Sequence, residues 1–197
     1  MRIASVVLLL VAGGCGGSSR PRPADTSGIP GELLRESRPI GRGPGFQPPV
    51  RGPVGGACRP RLGRRRGVHV ELFAANRVVI VARGIGLRAP LSFSGGRIVR
   101  ARCYGDVVTL EPTGLVLVRA GSLLHLSDLF RAWGQPLSRR RLASFTAPAG
   151  TQVAVFVNGR RRRGSPQSVT LREHDEIVLE LAPFVPPHRT YTFPPGT

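Results

Sequence analysis

Thr151–Arg163 reads TQVAVFVNGRRRR, and the turn inside it decides the fold. Val153, Val155 and Val157 alternate with Ala154 and Phe156, a period-two pattern suited to a strand covered on both faces. Asn158-Gly159 follows at once. Both residue types tolerate positive φ, so the pair is the strongest hairpin signal in the chain. Downstream, SVTL (168–171) and EIVLEL (176–181) read as two further strands around the polar turn Arg172-Glu173-His174-Asp175.

Upstream, VHVELFA (68–74) and RVVIVA (77–82) are β-rich runs that form a hairpin through Ala75-Asn76. Residues 83–96 hold Gly84, Gly86, Pro90, Gly95 and Gly96 and read as a loop, with a short strand over 97–102. The GIG at 84–86 is no nucleotide fingerprint, because no G-x-G-x-x-G opens a helix there. DVVTL (106–110) and LVLVRA (115–120) flank Glu111-Pro112-Thr113-Gly114, whose Pro and Gly suit a type I turn. One helix is expected. Ser127 is its N-cap, Asp128 meets the positive end of the dipole, and Gly134 stops it before Pro136. Leu129, Phe130 and Trp133 share a face, so the single tryptophan packs the helix onto a sheet. The order of elements predicts an α+β domain over residues 67–182, a mostly antiparallel or mixed β-sheet with one short helix. Residues 183–197 form a Pro-rich extension in which Tyr191 and Phe193 alternate, as on a strip that docks on the domain.

The stretch VFVNG…VTLREHDEIVLEL resembles the closing part of β-grasp proteins, in which a VNG strand precedes a polar turn and a final apolar strand. The resemblance implies a β-grasp-like sheet. His174 stands where those proteins usually carry Gly. The ending Pro195-Gly196-Thr197 differs from the free Gly-Gly of the sulfur-carrier branch, which excludes that activity.

The amino terminus has a different texture. Arg2 precedes an uncharged apolar run, Ile3–Gly14, which is too short for the roughly 20 residues of a bilayer-spanning helix. It fits the h-region of a secretory signal. Val11-Ala12-Gly13-Gly14-Cys15 resembles a bacterial lipobox. That resemblance implies a signal peptide over 1–14, cleavage before Cys15 and a diacylglyceryl group on its sulfur. Two or more acyl chains suffice for stable membrane retention, each buried CH₂ contributing about 0.8 kcal/mol. The motifs HVELFA, GIG, LFRAWGQPLS, VFVNGR and FPPG also resemble uncharacterised lipoproteins of high-GC Gram-positive bacteria, a family that implies location and fold but no activity. Longer members carry a histidine-rich HTHD stretch. The matching place here is Val108-Thr109-Leu110-Glu111, which implies no metal site.

With Cys15 lipidated, two of the three cysteines remain. In an oxidising compartment Cys58 and Cys103 are expected to form a disulfide, the alternative being two free thiols. The closed loop would contribute about 4 kcal/mol on the chain-entropy model. Residues 15–66 carry the lipidated cysteine and a Pro/Gly/Arg-rich segment without apolar periodicity, expected to be a disordered tether. As a random coil it spans roughly 40 Å. The basic run Arg64-Arg65-Arg66 sits where it meets the domain.

All 29 basic side chains are Arg, against 11 acids, for a formal charge of +18. Acidic partners are favoured electrostatically. Two Arg runs stand out in the domain: Arg139, Arg140, Arg141, and Arg160, Arg161, Arg162, Arg163. Converging, they would make an anion-binding surface suited to lipid head groups or wall polymers. Successive side chains of a strand point to opposite faces, so a run of four is not automatically one patch. Nucleic acid is not expected as a partner of an exported chain with only 6% aromatic residues.

The sequence carries no catalytic or metal-ligand spacing motif. The four histidines, His69, His125, His174 and His188, lack H-x-x-x-H and H-E-x-x-H spacing. His69 and Glu71 share a strand face and could begin a metal site or an acid–base pair, but a metal needs a third and usually a fourth ligand, so they read as a surface ion pair or hydrogen bond. Glu173, Asp175 and Glu176 read as a solvated turn. No G-x-S-x-G elbow is present. The sequence therefore predicts a non-enzymatic, cofactor-free binding or scaffolding module, lipid-anchored on the extracytoplasmic face of the cell membrane. Its partner would be anionic lipid or wall polymer, or a protein. The rivals are a small-ligand-binding accessory protein of a transporter or sensor, which needs an apolar pocket, and an envelope hydrolase.

Overall fold

The computed structural model describes residues 39–182 and 191–197. The expected signal peptide, Cys15, residues 16–38 and His188 lie outside the described residues. Among the described residues twelve strands and one α-helix follow one another: β1 (Arg65–Ala74), β2 (Arg77–Val79), β3 (Leu87–Ser94), β4 (Arg97–Tyr104), β5 (Val107–Val108), β6 (Leu115–Arg119), α1 (Leu126–Trp133), β7 (Leu137–Ser138), β8 (Arg141–Leu142), β9 (Phe145–Thr146), β10 (Ala154–Val157), β11 (Arg160–Arg162) and β12 (Glu176–Leu181).

The main sheet runs β11-β10-β12-β1-β6-β5, with β2 sharing the β6 edge of β1. β1 and β12 pair in parallel at its centre, His69 opposite Glu176 and Ala74 opposite Leu181. All other pairs are antiparallel, so the sheet is mixed and the domain is mostly β with a single short helix among the described residues. β3–β4 form a separate ribbon and β7–β9 a small three-stranded sheet.

Burial of β1 from Gly67 to Ala74 follows from this central place. Its even residues Val68, Val70, Leu72 and Ala74 join Ile177 and Leu179 of β12 and the helix residues Leu129, Phe130 and Trp133 in the principal core. Each fully buried Leu, Ile or Phe contributes about 1.5–3 kcal/mol. The odd residues face the other side, where Tyr191, Leu115 and Leu117 form a second cluster. The C-terminal strip thus docks on the face opposite the helix, as its alternating aromatics suggest.

Both hairpins form where the sequence places them, although only Asn158-Gly159 has favoured residue types at both turn positions. Ala75 and Asn76 have φ of 52° and 56°, and Asn158 and Gly159 have φ of 52° and 72°. Two positive values in succession give the twist that a tight hairpin needs. The helix begins two residues earlier than expected: His125, not Ser127, is the N-cap, and its N–H donates to Asp128 Oδ2 (2.8 Å). Gly134 ends it at φ 75°.

Three expectations need correction. The loop over 83–96 contains β3, which pairs with β4 through register shifts after Arg88 and Ser92. Pro90, which cannot donate to a ladder, falls within the first shift. SVTL is not a strand: Ser165 caps a 3-10 turn over Pro166–Ser168, leaving only a single bridge from Thr170 to His125. The tether assignment fails for residues 39–66. Ile40 bridges to Val79, Phe46 rests near Phe145 with ring centroids 6.0 Å apart, and Val54 is buried. Arg59 exchanges backbone hydrogen bonds with Tyr104 (3.0 and 2.8 Å). Single anchors separated by Gly and Pro hold this segment, and such anchoring leaves no periodicity to read. Cys58 and Cys103 stand at disulfide-bonding distance, 5.3 Å between Cα atoms, and tie the segment to β4.

Candidate functional site: a basic cleft at the sheet edge

β11 is the outer strand of the main sheet, and its register sorts the arginine run. Arg160 pairs with Val157, Arg161 with Phe156 and Arg162 with Val155. Val155 belongs to the principal core and Val157 packs against it. Cross-strand partners share a face, so Arg160 and Arg162 lie on the helix side and Arg161 on the other. Two residues along a strand put the two helix-side positions roughly 7 Å apart.

These two arginines line a cleft of about 460 Å³. Arg172 adds a third guanidinium and Asp175 the one carboxylate. Asn158, Ser168 and Thr170 supply an amide and two hydroxyls, while Val157 and Val169 are the apolar contribution. The polypeptide holds this wall firmly. Asn158 Nδ2 donates to Asp175 Oδ1 (2.9 Å), and its Oδ1 accepts from the Glu176 N–H (2.8 Å). One side chain thus ties the β10–β11 turn to the 172–175 turn. His174 takes φ 57°, the left-handed conformation, at the tightest point of that second turn.

Three guanidiniums against one carboxylate leave the cleft positive. Guanidinium presents a rigid fork of donors that matches the oxygens of phosphate, sulfate or carboxylate. The hydroxyls add neutral donors and acceptors fit for polyol or sugar hydroxyls.

The predicted anion-binding residues divide. Arg160 and Arg162 line the cleft; Arg161 and Arg163 do not. Arg139, Arg140 and Arg141 sit in and after the β7–β8 turn and do not line it either. The first run touches only the residue that precedes β10, where the Arg139 carbonyl accepts from the Val153 N–H (2.8 Å). Sequence reasoning missed Arg172, Ser168 and Thr170, because their convergence on β11 depends on the β12 pairing and no local pattern carries it.

The His69–Glu71 pair is not at the surface. Both are buried on the second face, with His69 Nδ1 3.7 Å from Glu71 Oε1. The His69 Nε2–H donates to the Thr113 carbonyl (3.1 Å), and Glu180 is buried on the same side of the sheet. Central strands are covered on both faces, which buries polar side chains that alternate with apolar ones. The acidic turn is also less solvated than expected: Glu176 Oε1 accepts from the Tyr191 N–H (2.5 Å). Among the described residues, no three His, Cys, Asp or Glu side chains are grouped to hold a metal ion. None of the described helices is long and apolar enough to cross a membrane.

No family model, curated protein or solved structure matches the chain.

Proposed function

We propose that this chain is a lipid-anchored extracytoplasmic binding module, non-enzymatic, whose β-grasp-like domain offers the basic cleft to an anionic envelope polymer. The observation that carries the reading is the cleft itself, where Arg160, Arg162 and Arg172 converge against one acid, Asp175. Its polar lining favours an anion over the apolar small molecule that an accessory protein of a transporter or sensor would bind.

Three further observations support the reading. The lipobox-like Val11–Cys15 stretch addresses the chain to the outer face of a membrane and anchors it there. Cys58 and Cys103 at bonding distance suit an oxidising compartment. The strand order supports the β-grasp assignment: a first hairpin-like pair β1/β6, a helix, a second hairpin β10/β11, and a last strand β12 parallel to the first.

The test uses the full chain in detergent and soluble polyphosphate as probe, at low salt. Arg160→Ala, Arg162→Ala and Arg172→Ala should each weaken binding a few-fold, the scale of exposed charge pairs. Affinity should fall steeply with ionic strength. Binding unchanged in the triple variant would remove the cleft from the proposal. No binding to polyphosphate or to polyuronate would overturn the polyanion and turn attention to a protein partner. Intact mass of the membrane fraction, with and without acyl groups on Cys15, tests the anchor separately.

A further inference from the structure

Away from the cleft, the far end of β1 presents a second concentration of charge. Arg65 and Arg119 are direct cross-strand partners on β1 and β6. Like charges directly opposite each other are destabilising unless something lies between them. Asp106 does so in part. Its Oδ1 accepts from Arg119 Nε (2.6 Å), and its backbone carbonyl accepts from Arg65 Nη1 (3.0 Å). Arg65 Nε donates to the Leu62 carbonyl (2.7 Å).

These bonds leave the two arginines unevenly used. Arg65 Nη2 and Arg119 Nη2 are both buried and have no hydrogen-bond partner. Each carries two N–H groups, so four donors lie out of water without an acceptor. Such orphans are rare, and each costs about 1–3 kcal/mol, more where the group is charged. The charge count agrees, with two guanidiniums against one carboxylate. Burial, then the neighbouring Arg119, lowers the Arg65 pKa to about 10, with Asp106 pulling it back up. The surroundings are basic as well: Arg59, Arg61 and Arg64 are exposed in the preceding segment.

We propose that Arg65 and Arg119 form a binding site for a phosphate-class oxyanion, seated against their unpaired Nη2 groups. The donor geometry selects the class. Unpaired N–H groups on two separate guanidiniums need an acceptor with several oxygens in different directions, which a tetrahedral oxyanion supplies. A carboxylate has two coplanar oxygens, and Asp106 already fills that role. Gly63 stands beside the pair: a Cβ there would lie 3.4 Å from Arg119 Nη1. The site is independent of the cleft, since none of its residues lines that cleft.

Thermal unfolding of the full chain at constant ionic strength tests this, with inorganic phosphate exchanged for acetate. Phosphate should raise Tm saturably, as a ligand specific to the folded state does, and acetate should not. Asp106→Asn retains an acceptor for Arg119 and removes the competing charge, so it should tighten the phosphate response several-fold. A merely misfolded variant cannot mimic that gain. Arg119→Lys keeps the charge, loses the fork and should abolish the response. An equal response to phosphate and acetate, or Asp106→Asn leaving the phosphate response unchanged or weaker, overturns the site. So does loss of the response in Arg160→Ala/Arg162→Ala, which would move the anion to the cleft. Vesicles of phosphatidic acid in phosphatidylcholine identify the source. Tighter vesicle binding by Asp106→Asn, displaced by phosphate, assigns a lipid head group; vesicle binding insensitive to both assigns free phosphate.

Discussion

The ring of Tyr191 lies flat on the ring of His69, 3.8 Å between centroids and 8° from parallel. This contact closes the second face of the sheet over a fully buried histidine in the middle of β1. Phe193 meets Tyr191 edge-on at 4.9 Å and continues the strip. The last residues of the chain are therefore part of the fold.

Tyr191 makes that closure sensitive to alkali. Burial, then the Glu111 carboxylate, raises its phenol pKa above the ordinary value of 10.0. Below pH 10 the phenol is neutral in the folded and unfolded chain alike, and its contribution is fully present. Above it the unfolded chain ionises first, so stability falls as pH rises until the folded phenol also titrates. Tyr191→Phe should flatten that alkaline fall while changing little at pH 7. Denaturant midpoints between pH 8 and 11 measure it, and an unchanged slope would refute it.

Trp133 pins the segment that composition assigns to a tether. Its indole N–H donates to the Phe46 carbonyl (2.6 Å), and its ring is buried beside Phe130. Trp133→Phe leaves that carbonyl without its donor and opens a small void, a loss of about 1–3 kcal/mol. The variant should also expose Arg42 and Arg51 to trypsin sooner than the parent. Equal cleavage rates would mean that the segment is held elsewhere.

What the sequence reveals is chiefly local chemistry. Asn158-Gly159 announces its hairpin because positive φ is a property of those few residues. Gly134 ends the helix for the same reason. Ala75-Asn76 is legible only from the β-rich runs on either side, since alanine seldom takes a φ of 52°. The parallel pairing of His69 with Glu176 is invisible, since period-two alternation says which face a residue takes and nothing of its neighbour. β3 is hidden because Pro90 and the glycines beside it look like a loop, while a bulged ribbon tolerates them. At the cleft, Arg160 and Arg162 are legible from the run and the turn; Arg172, Ser168 and Thr170 arrive there through tertiary pairing alone.

The Cys58–Cys103 link should be worth measuring as a clamp on the same segment. Its ends are 45 residues apart in sequence. Closing a loop of that size contributes about 4 kcal/mol by restricting the unfolded chain. Reductant should therefore lower the denaturant midpoint markedly, and Cys58→Ala/Cys103→Ala should match the reduced parent. A midpoint indifferent to reductant would show that the two thiols are not joined.

His174 sets two effects of opposite sign against each other. At φ 57° a non-glycine residue is strained by roughly 1–2 kcal/mol, so His174→Gly should relieve the turn. Against this, the imidazole stacks near Phe193 at 4.7 Å, and its Nε2–H donates to the Thr197 carbonyl. An aromatic pair contributes about 0.5–1.5 kcal/mol and a hydrogen bond about as much. Glycine also adds roughly 0.5–1 kcal/mol of unfolded-state entropy. The losses exceed the relief, and His174→Gly should destabilise the chain by about 1 kcal/mol. In a Phe193→Ala background the stacking is already gone, so the same substitution should become close to neutral. A double-mutant cycle on denaturant midpoints reads that coupling directly. Equal costs in both backgrounds would mean that His174 serves its turn alone and does not hold the C-terminal strip.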